Sequence, residues 1–178
     1  AVGLGLVDVD EPVLIILGDS IFELDYVEFL SSKSNTIGVF EVPDPERFGI
    51  VETDGSHIVQ FIEKPENPKS NLAIGGLYLI SSQQKLINAL NYLYENKIQS
   101  KNEYQLTDAF TVMLENEHQF KALEIDACLD CGIPETLLST NRILLEFRND
   151  NDIHDSAVIN NSDLFHPVSA IWNILIGS

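Results

Sequence analysis

Short apolar runs alternate along this chain with stretches in which apolar residues recur at intervals of three and four. Pro12 to Leu17 is a continuous apolar run too short for a helix, and Gly18-Asp19-Ser20 follows it at once. This pattern predicts a buried parallel strand ending in a loop. Ile21 to Ser32 is weakly amphipathic, with Phe22, Tyr26, Phe29 and Leu30 at helical spacing, and predicts a helix. Thr36 to Val42 predicts the next strand. Phe48 to Glu52 and His57 to Ile62, separated by Thr53-Asp54-Gly55-Ser56, predict a β-hairpin. Leu72 to Ile80 is a further strand, and glycines inside it, Gly75 and Gly76, mark a close approach of backbone or ligand.

The period then changes. Ser81 with Gln84 has the form of a capping box, and Leu86, Ile87, Leu90, Leu93 and Tyr94 predict a helix over 82–95. Phe110, Met113 and Leu114 form the apolar face of a second helix over 107–117. Phe120 to Ile125 returns as a strand, Asp130-Cys131-Gly132 as a turn, and Pro134 opens a helix that runs to Phe147. Strands alternating with helices indicate an α/β sheet with helices on its faces, whose ligands bind beyond the carboxyl ends of the strands.

From Asn149 the pattern changes again. Val158, Leu164, Ala170 and Ile176 recur every six residues, and Ser162, Val168 and Ile174, four positions after a repeat residue, are small or β-branched. This register suits the first turns of a left-handed parallel β-helix, whose repeats bury their faces by stacking on neighbours. The expected division is therefore 1–148 for the α/β domain and 149–178 for a linker and the first hexapeptide repeats. Both ends of the chain are apolar and read as cut ends.

Composition narrows the function classes. Against 28 Asp and Glu there are 10 Lys and Arg, a net charge of −18, which repels nucleic acid and anionic membranes at long range. Hydrophobic residues at 44% supply a core and exclude global disorder. No apolar run reaches the length of a membrane span and no basic leader precedes one, so a cytoplasmic protein is expected. Cys128 and Cys131 form a single CxxC without a second ligand pair for zinc; two reduced thiols suit a reducing compartment. His57, His118, His154 and His166 share no catalytic spacing.

Four features carry the chemistry: Leu17-Gly18-Asp19 after a strand, Phe48-Gly49-Ile50-Val51-Glu52 opening the hairpin, Glu63-Lys64-Pro65 closing it, and Leu129-Asp130-Cys131-Gly132 before a helix. In this order, and with Ala73-Ile74-Gly75-Gly76-Leu77-Tyr78 and Glu103-Tyr104-Gln105-Leu106-Thr107-Asp108, they resemble the sugar-nucleotide pyrophosphorylases, in particular glucose-1-phosphate thymidylyltransferases and related bacterial enzymes. The likeness covers roughly residues 12–146.

The resemblance implies a Rossmann-like, GT-A-like mixed sheet with flanking helices, N-terminally truncated and followed by the start of the β-helix. It implies transfer of a nucleotidyl group from a nucleoside triphosphate to a sugar 1-phosphate, with magnesium (Mg2+) as cofactor, in nucleotide-sugar biosynthesis such as that feeding bacterial polysaccharides. An oxygen of the sugar phosphate attacks the α-phosphorus and pyrophosphate leaves, so catalysis is chiefly in-line positioning and charge neutralisation. By resemblance Asp19 and Asp130 hold the metal, Lys64 contacts the sugar phosphate, Glu63 accepts hydrogen bonds from sugar hydroxyls, Gly49 offers its backbone, and Ile74 and Tyr78 line the pocket. Each has a plainer alternative. Asp19 suits a turn, Asp130 suits a cap of the helix at Pro134, Glu63 and Lys64 suit a solvated strand-end pair, and Tyr78 suits the core.

The family's glycine-rich segment GxGTR, which grips the triphosphate, does not occur in these residues, and the only glycine pair, Gly75-Gly76, leads into Leu77-Tyr78. Ser20, Phe48 and Cys128 stand where many members carry Asn, Tyr and Trp. The chain alone is expected to be inactive. Two other readings remain: a non-catalytic regulatory or scaffold homologue, and a two-headed protein whose β-helix performs acyl transfer. Nucleic-acid and membrane partners are not expected, and a homo-oligomer remains open.

Overall fold

The computed structural model describes residues 10–146 and, beyond them, the backbone of Asp152–Ile153, Val158–Ile159, Ser169–Ala170 and Leu175–Ile176. The chain divides into two compact units, Ala1–Cys128 and Leu129–Ser178.

The first unit is built on a six-stranded sheet. In chain order its strands are β1 (Val13–Ile16), β3 (Asn35–Glu41), β4 (Gly49–Asp54), β5 (His57–Glu63), β6 (Leu72–Ile80) and β7 (Phe120–Glu124); β2 (Ser20–Glu23) lies outside that sheet. Across the sheet the order is β1-β6-β3-β7-β5-β4, with a further pairing of β4 to β6 through Ile50 and Ala73. Strands β3 and β7 run parallel, and β1–β6, β3–β6, β4–β5 and β5–β7 run antiparallel. The sheet is mixed, as expected.

The run Pro12 to Leu17 departs from expectation. Strand β1 pairs with β6 antiparallel, with Val13 opposite Ile80 and Ile16 opposite Leu77. It is also an edge strand: Val13 and Ile15 pack against the main core, whereas Leu14, Ile16 and Leu17 are 41%, 51% and 43% exposed. A continuous apolar run reports neither the direction of its neighbour nor which faces that neighbour covers.

Helices α2 (Gln83–Asn96) and α3 (Leu106–Glu115) cover one face of the sheet. Their apolar stripes, with Leu86, Ala89 and Leu93 on one and Ala109, Phe110, Val112 and Met113 on the other, meet Ile37, Phe61, Tyr78 and Phe120. The ring of Phe110 lies 5.4 Å from each of Phe61, Tyr78 and Phe120, centroid to centroid, inside the range for favourable aromatic packing. A smaller cluster of Phe22, Phe29, Leu77, Leu79 and Ile125 forms the second core.

The cap of α2 is Ser82 and not Ser81. Ser82 Oγ accepts from Lys85 N at 3.2 Å and donates to the Asp10 carboxylate, whose Oδ1 also accepts from Gln84 N at 3.0 Å. Ser81 is drawn elsewhere, donating through both its N and Oγ to Asn35 Oδ1 at 2.9 and 3.0 Å. Asn35 is buried, and its Nδ2 donates to the Gln119 carbonyl at 2.9 Å. One side chain thus joins the start of β3, the end of β6 and the residue preceding β7.

The helix expected over 21–32 is shorter. Residues Ser20–Glu23 are extended, and only Tyr26–Ser31 (α1) are helical, capped by Asp25, whose Oδ1 accepts from Val27 N and Glu28 N. A side-chain acceptor two and three residues before free N–H groups of the first turn starts the helix there. Gly75 and Gly76 do mark a close approach. The β3–β6 register shifts between Ile37 and Val39, Gly76 takes φ +85°, and a Cβ on Gly76 would fall 2.8 Å from Leu17 Cδ1.

Strand β8 (Ala127–Asp130), absent from the expected elements, runs across the boundary between the units. In the second unit α4 (Pro134–Glu146) begins at its proline as expected. Beyond it β9 (Asp152–Ile153) pairs parallel with β11 (Ser169–Ala170), and β10 (Val158–Ile159) with β12 (Leu175–Ile176). Of the six-residue register, Val158, Ala170 and Ile176 fall in these strands, while Leu164, Ser162, Val168 and Ile174 lie outside the described residues. Among the described residues no helix is long and apolar enough to cross a membrane.

Candidate functional site

The β4–β5 hairpin places Gly49 directly opposite Glu63 in the ladder. A Cβ on Gly49 would lie 3.0 Å from Glu63 Oε2, 3.2 Å from Thr107 Cγ2 and 3.4 Å from Ile74 Cδ1. Three positions singled out in the sequence, Gly49, Glu63 and Ile74, therefore converge at one point, on three different strands. A side chain there would crowd the carboxylate and the buried threonine at once, and each would have to give by a few tenths of an ångström.

Thr107 is the residue that sequence reasoning did not single out by itself. It is buried in the first turn of α3, and its Oγ1 donates to Glu63 Oε2 at 3.0 Å. The hydroxyl orients the carboxylate, a strong arrangement where the acceptor is a carboxylate. The signal was present only as the string Gln105-Leu106-Thr107-Asp108, which does not reveal a contact to β5. Its neighbour Asp108 accepts from Ser100 Oγ at 2.8 Å through Oδ1, while Oδ2 is buried without a hydrogen-bond partner among the described residues. The positive end of α3 compensates that oxygen, which sits in the helix's first turn.

Lys64 follows Glu63 and is exposed, with its N–H donating to the Phe48 carbonyl at 3.0 Å. Its φ of 44° lies in the left-handed region, which costs a non-glycine residue about 1–2 kcal/mol. Such a conformation survives only where its surroundings impose it, and it concentrates at ligand-binding positions. Here the hydrogen bond to the Phe48 carbonyl holds it.

Tyr78 belongs chiefly to the core, its ring packed on Phe110. Its hydroxyl is nonetheless electrostatically linked to the site. Burial pushes its pKa up, and the charges of Glu63 and Asp19, with Cys128, push it further. Asp19 is exposed beyond β1, and its one hydrogen-bond partner among the described residues is Ser20 Oγ at 3.5 Å. The carboxylate is thus available to a ligand.

Asp130 ends β8 and is exposed. Its Oδ1 accepts from Gly132 N at 2.7 Å in a tight turn, and its carbonyl accepts from the buried Thr140 Oγ1 at 2.7 Å. The side chain is thereby held at the turn before α4, with Oδ2 left open. Among the described residues no cluster of three or more His, Cys, Asp or Glu forms a preassembled metal cage. Magnesium is compatible with that, since it binds through one or two carboxylates and completes its shell with phosphate oxygens and water.

The model of the nucleotidyl transferase family matches residues 2–146. The chain is 37% identical over 140 residues to the bifunctional protein GlmU of Methanocaldococcus jannaschii, covering 78% of this chain and 33% of that protein. It is 34% identical over 156 residues to the glucose-1-phosphate adenylyltransferase of Clostridium beijerinckii, covering 82% and 39%. Among solved structures it is similar to a putative glucose-1-phosphate thymidylyltransferase of Bacillus anthracis in complex with a sucrose, with a TM-score of 0.64 and 26% identity over 84% of this chain and 59% of that one. The chain spans between a third and two fifths of the length of these two curated relatives. Match and fold agree over both the sheet and the site strands: the chain belongs to the nucleotidyl transferase family.

Proposed function

We propose that this chain supplies the sugar-phosphate-binding half of a sugar-1-phosphate nucleotidyltransferase, which joins a sugar 1-phosphate to the nucleotidyl group of a nucleoside triphosphate and releases pyrophosphate. The observation that carries this reading is the grouping of Gly49, Glu63, Ile74 and Thr107 around the half-buried Glu63 carboxylate. A carboxylate held by a hydroxyl, beside a bare backbone and an apolar wall, suits the hydroxyls and the ring face of a sugar.

In this reading Glu63 accepts hydrogen bonds from sugar hydroxyls through the oxygen that Thr107 leaves free. Lys64 meets the sugar phosphate as a point charge. Gly49 gives the sugar access to the backbone, and Ile74 and Tyr78 form the wall. Asp19 and Asp130 would hold magnesium, which when bound neutralises phosphate charge and orients the reacting oxygens. The grip on the triphosphate needs a GxGTR segment, which these 178 residues do not contain; the chain by itself is therefore inactive in this proposal. A cytoplasmic site of action belongs to the same reading.

We also propose that residues 1–148 are part of the nucleotidyltransferase domain and that 149–178 begin a left-handed β-helix. In support, both parallel pairs join residues seventeen apart, Val158 with Leu175 and Asp152 with Ser169, close to three hexapeptides per coil. A second activity in such a β-helix, acyl transfer, is a further reading, favoured by the bifunctional name of the M. jannaschii relative.

The test is calorimetric titration of the chain with glucose 1-phosphate, repeated on Glu63→Gln and Lys64→Ala, together with a pyrophosphorylase assay. Saturable binding lost in both variants, with no turnover, is expected. Binding unchanged by both substitutions would overturn the sugar-site assignment, and measurable turnover would overturn the incompleteness of the site.

A further inference from the structure

Helices α2 and α3 leave a groove between them, about 330 Å³ in volume. Lys85, Asn88 and Tyr92 line it from α2, and Asn116 and His118 from the end of α3 and the turn beyond it, over a floor of Ala89, Val112 and Met113. None of these residues takes part in the sugar site, and no carboxylate lines the groove, although Asp and Glu make up 28 of the 178 residues.

The polar groups are mostly donors. The Lys85 ammonium makes no ion pair among the described residues. Asn88 receives the Gln84 amide through Oδ1, so its Nδ2 donors are free, and Asn116 spends Nδ2 on the Val112 carbonyl. His118 is half-buried and presents an imidazole whose proton affinity is lowered by burial and by the charge of Lys85. An adjoining hollow, lined by His57, Glu117 and Gln119, shares His118, and Asp10 faces Lys85 from the α2 cap with its oxygens already held by Ser82 and Gln84. The residual complement of the groove is thus a cation, an imidazole and an amide, beside the exposed Tyr92 ring.

We propose that the α2–α3 groove is a second ligand site, for a small phosphate monoester held between Lys85, Asn88 and His118 with its organic part against Tyr92 and Met113. A volume at the low end of that found for small-molecule sites suits a ligand of monosaccharide-phosphate size. The dianion gains a charge-assisted hydrogen bond from Lys85 and favours the protonated form of His118, which the Lys85 charge otherwise disfavours. The site stands whether or not the sugar-binding reading of Glu63 and Lys64 holds, because it shares no residue with it.

The experiment follows the histidine ring resonances of the full chain by NMR during titration with inorganic phosphate and, separately, with glucose 1-phosphate. His118 is assigned by His118→Gln. The expected result is a saturable shift of the His118 signals and a rise of its apparent pKa, since a bound dianion favours the imidazolium. Lys85→Met and Asn88→Asp, both at exposed positions, each weaken that response at least tenfold, while Lys64→Ala leaves it in place. Saturation by glucose 1-phosphate at a tenfold lower concentration than inorganic phosphate identifies an organic phosphate as the ligand; equal response to both identifies free phosphate, and overturns the role given to Tyr92 and Met113. A His118 signal that does not move, or moves equally in Lys85→Met and Asn88→Asp, overturns the site.

Discussion

Thr107 Oγ1 donates to Glu63 Oε2 at 3.0 Å across forty-four residues of sequence, joining the first turn of α3 to the last residue of β5. The bond ties the orientation of a candidate sugar-binding carboxylate to the packing of a helix whose other residues, Phe110 and Met113, are in the core. Replacing the hydroxyl by a methyl in Thr107→Val keeps the volume and frees the carboxylate. A hydrogen bond to a charged group is worth about 1.5–3 kcal/mol. Affinity for glucose 1-phosphate is expected to fall roughly tenfold or more by calorimetry, with circular dichroism unchanged; undiminished affinity would separate Thr107 from the site.

Gly49→Ala tests space. The added methyl would stand 3.0 Å from Glu63 Oε2 and 3.2 Å from Thr107 Cγ2, so one of the two must move. Overpacking of this kind costs about 1–3 kcal/mol, and here it also fills the room above the carboxylate. Thermal denaturation should show a modest loss of stability, and sugar-phosphate binding should be lost altogether.

Lys64 separates stability from binding. Its backbone sits at φ 44°, a conformation glycine adopts freely. Lys64→Gly should therefore leave the melting temperature equal or slightly higher while reducing glucose 1-phosphate affinity at least tenfold. A drop in stability matching the drop in affinity would show that the lysine side chain is structural.

The cap of α2 gives a pH dependence. Asp10 is held below its ordinary value of 3.8, first by the Gln84 backbone N–H and then by the Ser82 hydroxyl, with Lys85 adding to both. A carboxylate whose pKa is lower in the folded state contributes stability that is full above the unfolded value and is lost as pH falls through the folded one. The melting temperature of the parent chain should exceed that of Asp10→Asn at pH 7, and the two should converge as pH falls through the lowered folded value of Asp10, below which both side chains are neutral.

Phe110 is fully buried with three aromatic neighbours. Phe110→Ala should cost about 3–5 kcal/mol in urea unfolding. A smaller loss would mean that α3 closes into the cavity, and Thr107 would then move with it.

Local patterns in the sequence carried much of this structure. Helices α2 and α3 followed from apolar residues at three and four, the hairpin from Gly55 between two β-rich runs, and the close approach within β6 from Gly75 and Gly76. What was not legible depended on partners distant in sequence. Ser81 and Ser82 are equivalent as text, and only Asn35, forty-six residues away, diverts Ser81 from the cap. The direction and edge position of β1 depend on β6, more than sixty residues on. Within the site, Gly49, Glu63 and Ile74 could be named because each belongs to a recognisable string, whereas Thr107 acquires its role only through contact with Glu63.

Asn35 joins three strand ends with one buried side chain: its own, that of β6 through Ser81, and that of β7 through the Gln119 carbonyl. Fraying at this end of the sheet is therefore a shared event. If any of the strands opens, the amide of Asn35 loses its partners and is left unsatisfied in an apolar setting, a cost of about 1–3 kcal/mol that discourages partial opening. Hydrogen exchange at Thr36, Ser81 and Lys121 should thus proceed as one cooperative unit, giving the sheet a single latch at the end that carries the α2 cap.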